Sequence, residues 1–270
     1  MSGELGRQRI INFLRALRLL PLAERLRFMA AAAKSWRANK KAVAANPGVA
    51  FPPLWLLYDT IGNCDYRSYL ETGKETAELF GRIIKKHLPP GKQRVCEWGC
   101  GLGRVLRHLP ALPMDLEVCG SDYNGQSVEW CQKNLAGCRI FKNELAPPLP
   151  FENNYFDFVY SISVFTHLSE QMHYEWLNEC LRVTRPGGLI LLTVHGEYSR
   201  QKLLPDEREK YDRGELVVRS GVYEGSRIYV AFQNVRFMRE KLLKGLEIVS
   251  DEYFAAISAS QNIWMVRKPG

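Results

Sequence analysis

An α/β fold with a parallel, doubly wound sheet is the class this sequence predicts, on three observations. Short apolar runs bounded by turn residues recur at a spacing that leaves room for a helix between them. The first run enters a loop with glycine at every second position, Val95-Cys96-Glu97-Trp98-Gly99-Cys100-Gly101-Leu102-Gly103-Arg104. The second ends in an acid, Asp122. Sheets of this kind bind ligands beyond the carboxyl ends of their strands, so loop and acid both fall where a cofactor would sit.

The elements follow in order. Thr72-Gly73 precede a helical stretch from Lys74 to His87, which would pack beside the first strand. Glycines after that strand permit a tight turn and let a ligand approach the backbone. A helix-like stretch (Val105, Leu106, His108, Leu109) comes next. A dinucleotide fingerprint would place its third glycine where Arg104 stands, and arginine would hinder close helix–strand packing. The carboxylate of Glu97 suits a cationic ammonium better than a pyrophosphate. The loop alone leaves a dinucleotide and S-adenosylmethionine both open, and tilts toward the second.

Leu116 to Gly120 is the second strand, and Asp122 at its end can accept both hydroxyls of an adenosine ribose. The third strand, Cys138 to Phe141, leads to Asn143-Glu144, where a polar side chain can meet the adenine. The fourth, Phe156 to Ser161, follows a Pro-rich turn, Pro147-Pro148-Leu149-Pro150. A helical stretch from Leu168 to Val183 leads through the turn Arg185-Pro186-Gly187-Gly188 into the fifth strand, Leu189 to Val194.

With these segments in place, the chain resembles the class I S-adenosylmethionine-dependent methyltransferases, and bacterial small-molecule enzymes in particular. The glycine loop, Asp122, the stretch Pro147 to Leu168 and the stretch Leu181 to Gly196 carry the resemblance, which covers residues 93–196, with weaker likeness on either side. It implies a Rossmann-like seven-stranded mixed sheet of order 3-2-1-4-5-7-6 with the last strand antiparallel. Leu246 to Ser250 and Ile263 to Arg267 fit the final two strands. It also implies S-adenosyl-L-methionine as cofactor, held by Glu97, Gly99, Gly101, Gly103, Asp122, Tyr123, Asn143 and Ser161.

Charge divides the chain. Residues 1–47 hold ten basic and two acidic side chains, which is the whole net charge of +8, so residues 48–270 balance at zero. Ile10, Phe13, Leu14, Leu17 and Leu20 recur at helical spacing there, Pro21 interrupts, and Leu22, Leu26 and Met29 resume. A basic amphipathic segment either packs its apolar face on the enzyme body or lies on an anionic membrane surface or an acidic protein. Asn46-Pro47-Gly48 reads as a linker. Three parts are expected: a helical extension (1–47), cap helices (48–92) and a methyltransferase domain (93–270). Within the cap, Tyr66 and Tyr69 could reach the methionine end of the cofactor, or belong to the core. The absence of an apolar run near ~18 residues and of a secretory signal predicts a cytoplasmic protein, with peripheral membrane contact as the variant. Seven scattered cysteines fit small buried hydrophobes, and no Cys/His set completes a metal site.

Methyl transfer needs orientation and, for some acceptors, a base. Two histidines are expected above the strand ends, His167 after the fourth strand and His195 at the end of the fifth. His195 is the stronger candidate, because Gly196 beside it leaves an acceptor room; Glu197 is a weaker one. Residues 197–234 form an insertion with a hairpin from Leu216 to Phe232, and Tyr229, Phe232 and Gln233 are candidate acceptor-lining residues. The expected acceptor is a small molecule methylated on oxygen: a sugar, a lipid-linked compound or a secondary metabolite. A nucleic-acid methyltransferase gripping phosphate through the basic segment is the alternative. Against it, the fourth strand ends in Tyr160-Ser161-Ile162-Ser163, without the Asn/Asp-Pro-Pro-aromatic signature, and residues 48–270 are neutral. A non-catalytic scaffold of the same fold is a third reading, which the intact loop and Asp122 disfavour.

Overall fold

The computed structural model describes residues 20–250 and 261–270, so the Ile10 to Leu17 pattern lies outside the described residues. Three helices lead in: α1 (Leu20–Ala45), α2 (Leu54–Ile61) and α3 (Tyr66–His87). Asn39, buried in mid-α1, donates to the Cys64 carbonyl at 2.7 Å and accepts from the Tyr66 amide at 3.0 Å, which ties α1 to the start of α3. Helix α3 begins well before Lys74, because Asp65 caps it by accepting from the Arg67 and Ser68 amides. It runs unbroken through Gly73, where a Cβ would stand 2.0 Å from the Arg104 carbonyl oxygen. That glycine, expected to mark a helix start, lets α3 cross the glycine loop at close range. Tyr69 donates to the Leu102 carbonyl at 2.7 Å and fixes the same loop from the helix side.

The sheet strands are β1 (Gln93–Trp98), β2 (Leu116–Asp122), β3 (Cys138–Lys142), β4 (Phe156–Ser161) and β5 (Thr184–Val194). After the insertion, which holds the short pair β6 (Val217–Arg219) and β7 (Val230–Phe232), come β8 (Glu247–Ser250) and β9 (Asn262–Arg267). The order is β3-β2-β1-β4-β5-β9-β8. Neighbours from β3 through β5 are parallel and β9 runs antiparallel between β5 and β8. Counting only strands of this sheet, that is the expected 3-2-1-4-5-7-6.

Two local expectations change. The stretch after the glycine loop is a 3-10 helix, Leu106–Ala111, rather than an α-helix. Pro110 explains it, since its ring would clash with the carbonyl four residues back and it has no N–H to donate. The Arg185–Gly188 turn is a bulge inside β5, where the register against β4 shifts between Phe156 and Phe158.

Alternation along the strands divides the core into two layers. Val95, Phe158, Tyr160, Leu189 and Leu191 pack under α3 and α4 (Gly125–Asn134), with Phe80 at the centre. Cys96, Val159, Ile190, Leu192 and Trp264 face α5 (Glu170–Val183) and a one-turn π-helix, Phe237–Leu242. All seven cysteines are free, and all but Cys138 are buried.

Within the second layer His173 is fully buried, with one nitrogen bonded to the Ser169 carbonyl at 2.7 Å and the other to the Gln233 amide nitrogen at 2.8 Å. A carbonyl only accepts, so Nδ1 carries the proton and Nε2 accepts from Gln233. Burial lowers its pKa to about 4. The unfolded chain takes up this proton near 6.5 and the folded chain only near 4, so the folded state loses stability as pH falls through that window. Urea denaturation should show the wild type losing on the order of 2 kcal/mol more than His173→Gln between about pH 7.5 and pH 5. Equal losses would remove His173 as the source.

Helix α1 reverses one expectation. Its inward side carries Glu24, Phe28 and Asn39, each held by the body through Arg227, Tyr58 and Cys64. Leu22, Leu26 and Met29 are instead 58, 59 and 59% exposed, so they do not pack on the body of the protein. Small residues (Ala31, Ala32, Ser35, Ala42) occupy much of the rest of the contact side and leave no space for leucines there.

Candidate active site

A cleft opens at the carboxyl ends of β1, β2 and β4, the position where sheets of this kind bind ligands. Gly99, Gly101, Asp122, Tyr123, Asn143 and His167 all line it. Gly99 and Gly101 have φ of +74° and +51°, a region that side chains rarely adopt, and a Cβ on either would stand 2.3 Å from Val164 or Thr60. The turn is therefore accessible only to glycine.

Asp122 organises the loop. Its Oδ2 accepts from the Gly101 amide at 2.7 Å and its Oδ1 from the Asn124 amide at 2.8 Å, leaving a second lone pair on each oxygen. Burial raises its pKa, opposed by those backbone hydrogen bonds. Asp59, from the end of α2, lines the same cleft, and burial raises it too, with Arg227 pulling the other way. Two carboxyl groups facing one cleft favour a cationic ligand over a pyrophosphate. Asn143 donates to the Glu144 carbonyl at 2.7 Å, while its Oδ1 is buried without a partner. An exocyclic adenine amino group would satisfy that acceptor, a ribose diol would suit the free lone pairs of Asp122, and the residues present therefore fit S-adenosylmethionine.

Glu97, Gly103, Ser161 and His195 lie outside the cleft wall. On β1 successive side chains face opposite ways, so Trp98 lines the cleft and Glu97 turns to the α3 side. There it accepts from Tyr160 at 3.0 Å. Burial raises its pKa to about 8, against the Tyr160 hydrogen bond and the Arg104 charge. Gly103 packs against Leu135, and Ser161 is buried at the end of β4 just before Ile162, Ser163 and Val164, which do line the cleft. Ser163 has a left-handed φ of +63°, held by its amide donating to Thr193 at 2.8 Å and its hydroxyl donating to Gln261 at 2.9 Å. Such backbone conformations in non-glycine residues cluster at functional sites.

The two histidines differ sharply. His167 bonds through Nδ1 to the Tyr229 carbonyl at 2.7 Å, so Nδ1 bears the proton and Nε2 keeps its lone pair. Burial lowers its pKa, which leaves the ring a neutral base near pH 7. His195 stacks on Phe232 with centroids 5.5 Å apart, and its Nδ1 is buried without a partner. Burial, with the neighbouring His167 next in weight, pushes its pKa down to about 3. The room expected at Gly196 is filled, since a Cβ there would stand 2.0 Å from the Asn262 side chain.

Tyr229, Phe232 and Gln233 also serve differently from expectation. Gln233 is fully buried, accepting from the His195 amide at 3.1 Å and donating to the Phe165 carbonyl at 2.9 Å. Phe232 is buried against His195, and Tyr229 contributes its carbonyl to His167. The part of the insertion that reaches the cleft is the loop between β6 and β7. Gly225 donates to the His167 carbonyl at 2.9 Å and accepts from Tyr123 at 3.1 Å, while the Ser169 amide donates to Glu224. Arg227 lines the cleft, pairs with Glu24 of α1 and lies 4.7 Å from the Tyr58 ring. Burial alone would raise the Glu24 carboxyl, but Arg227 and Arg27 hold it below its usual range.

Sequence reasoning missed Asp59, Arg227, Trp98 and Trp176. Trp98 was readable from strand alternation; it stacks on Trp176 with centroids 4.1 Å apart, forming an aromatic wall. Asp59 and Arg227 come from distant segments and carry no local signal. They also line a second groove, whose walls include Phe28, Trp55, Tyr58 and Ile228. Among the described residues no group of three or more His, Cys, Asp or Glu side chains converges as a metal site would require.

Comparison with known proteins agrees with this geometry. Residues 96–192 match the family model described as a methyltransferase domain. A fatty-acid O-methyltransferase of Mycolicibacterium smegmatis is 31% identical over 192 residues, covering 69% of this chain and 64% of that protein. A tRNA N(3)-methylcytidine methyltransferase of Drosophila melanogaster is 27% identical over 165 residues, covering 56% of this chain and 46% of the relative. The chain thus spans less than two thirds of these relatives. Among solved structures, a glycopeptide N-methyltransferase in complex with S-adenosyl-L-homocysteine aligns with a TM-score of 0.53 at 15% identity, over 82% of this chain and 99% of that one.

Proposed function

Because the chain belongs to the class I S-adenosylmethionine-dependent methyltransferases, we propose that it methylates a hydroxyl on a small molecule with an apolar body. The observation that carries this reading is the cleft itself, which sets a cofactor cradle, a neutral imidazole and an apolar groove side by side. The bound cofactor supplies an electrophilic methyl group on a cationic sulfur. This chain's residues do the rest. Asp122 takes the ribose hydroxyls, Asn143 Oδ1 takes the adenine amino group, and the Trp98–Trp176 pair bounds the cleft. His167 Nε2 accepts the proton of the attacking hydroxyl, with its ring held by the Tyr229 carbonyl.

The groove bounded by Phe28, Trp55, Tyr58 and Ile228 meets the cleft at Asp59 and Arg227 and is the acceptor's entrance. An apolar tail suits those walls, consistent with the fatty-acid O-methyltransferase among the relatives. The tRNA enzymes among the relatives keep a second reading testable. Titration calorimetry of the full chain should show one site for S-adenosylmethionine and for S-adenosylhomocysteine. No heat with either would end the enzyme reading, and tight, salt-dependent tRNA binding would move the acceptor to nucleic acid.

A further inference from the structure

Helix α1 presents to solvent the residues that a surface helix ordinarily buries. Leu22, Leu26, Met29 and Trp36 are 58, 59, 59 and 54% exposed, and their spacing of four, three and seven keeps them on one side of the helix. Arg25, Arg27, Lys34, Arg37, Lys40 and Lys41 are exposed along the same helix. Its one acid, Glu24, turns inward to Arg227. Lys40 lies 4.1 Å from the Trp36 ring, so even the aromatic on this stripe sits beside a cation. No described helix is long and apolar enough to cross a membrane.

We propose that this face of α1 docks on an anionic lipid bilayer. Leucine, methionine and tryptophan would enter the headgroup–acyl boundary while the flanking cations meet anionic headgroups, as in-plane amphipathic helices do. A polyanion such as nucleic acid accounts for the cations but gives the leucines nowhere to go. A second copy would set one basic stripe against another, and like charges across an interface disfavour the pair. The position of the helix supports lipid as well. Phe28 and Arg25 of α1 form part of the acceptor groove, beside the half-exposed Trp55, so a docked helix brings the groove mouth to the lipid surface. An acceptor with an apolar tail could then enter without crossing water. The helix's docking stands on its own face; the delivery of the acceptor rests on the reading of the groove.

Flotation of the full chain with phosphatidylcholine vesicles, and with the same vesicles containing phosphatidylserine, tests the proposal. Binding is expected only to the anionic vesicles, and both Leu26→Asn/Met29→Asn and Lys34→Gln/Lys40→Gln should weaken it, the first by about tenfold per side chain removed from the boundary. Tryptophan emission should shift to the blue on binding, and Trp36→Phe should remove most of that shift. S-adenosylhomocysteine affinity, measured on the same variants, should equal that of the wild type. If the wild type ignores anionic vesicles, or if the apolar pair binds them undiminished, the docking proposal is wrong while the methyltransferase reading survives. Loss of cofactor affinity in the wild type would have the reverse consequence.

Discussion

Asp122→Ala should weaken S-adenosylhomocysteine binding by a hundredfold or more. Two losses combine. On the proposed reading the carboxylate accepts both ribose hydroxyls, and hydrogen bonds to a charged group contribute about 1.5–3 kcal/mol each. It is also the partner of the Gly101 and Asn124 amides, so alanine leaves a buried loop N–H unpaired in the turn that shapes the cleft. That second loss is shared by the free and bound protein and acts on affinity only by loosening the loop. The two ribose bonds alone sum to about 3–6 kcal/mol, which at about 1.4 kcal/mol per decade is two decades or more. Asp122→Asn separates the two. The amide keeps one acceptor oxygen but points a donor at groups that donate, so affinity should fall between wild type and alanine. Because burial raises this carboxyl, wild-type affinity should also decline as pH falls, earlier than an exposed aspartate would predict. Calorimetry reads all three. Undiminished affinity in the alanine variant would mean that the ribose lies elsewhere.

The donor side of the site was legible because it is local. Glycine spacing, the acid at the end of the second strand and the polar pair after the third each depend on residues adjacent in sequence, and Gly99, Gly101, Asp122 and Asn143 stand together at the cleft. The sheet was legible for a similar reason, since its inner strands β4 and β5 are buried on both faces and read as nearly continuous apolar runs. Glu97 shows what the loop pattern hides. A residue one place from the turn can face the opposite side of the sheet, and only alternation distinguishes it from Trp98.

The acceptor side depends on contacts across long stretches of chain. Asp59 lies in the last turn of α2, Arg227 sits in the loop between β6 and β7, and Glu24 belongs to α1, yet the three form one cluster. No periodicity links them. The surroundings of His195 were not legible for the same reason. A glycine beside His195 suggested open space, but the space is taken by Asn262 from the last strand. Helix α1 is the sharpest case. An apolar stripe at helical spacing says that one face is apolar, and tertiary packing alone decides whether that face is covered.

His167→Asn should lower turnover by about 10²–10⁴, the usual contribution of a positioned general base, with S-adenosylhomocysteine affinity unchanged. Asparagine is the informative substitute because its amide N–H can still reach the Tyr229 carbonyl, so the anchor of the insertion loop is kept while the basic nitrogen is lost. The pH profile gives an independent readout. The His167 pKa lies below 6.5, so the ring is unprotonated at neutrality and turnover should rise with pH to a plateau already reached there. The variant should lack that acid limb. His195→Ala should retain it, because a ring that titrates near 3 is outside the working range. The measurement requires an acceptor, and a panel of hydroxylated and carboxylated amphiphiles supplies the contrast. A carboxylate is already ionised near neutrality and needs no base, whereas a hydroxyl must surrender its proton. Turnover that falls in His167→Asn for alcohols would support the hydroxyl reading. Equal turnover of carboxylates by both proteins, with no alcohol accepted, would replace it with ester formation and leave His167 as the anchor of the insertion loop.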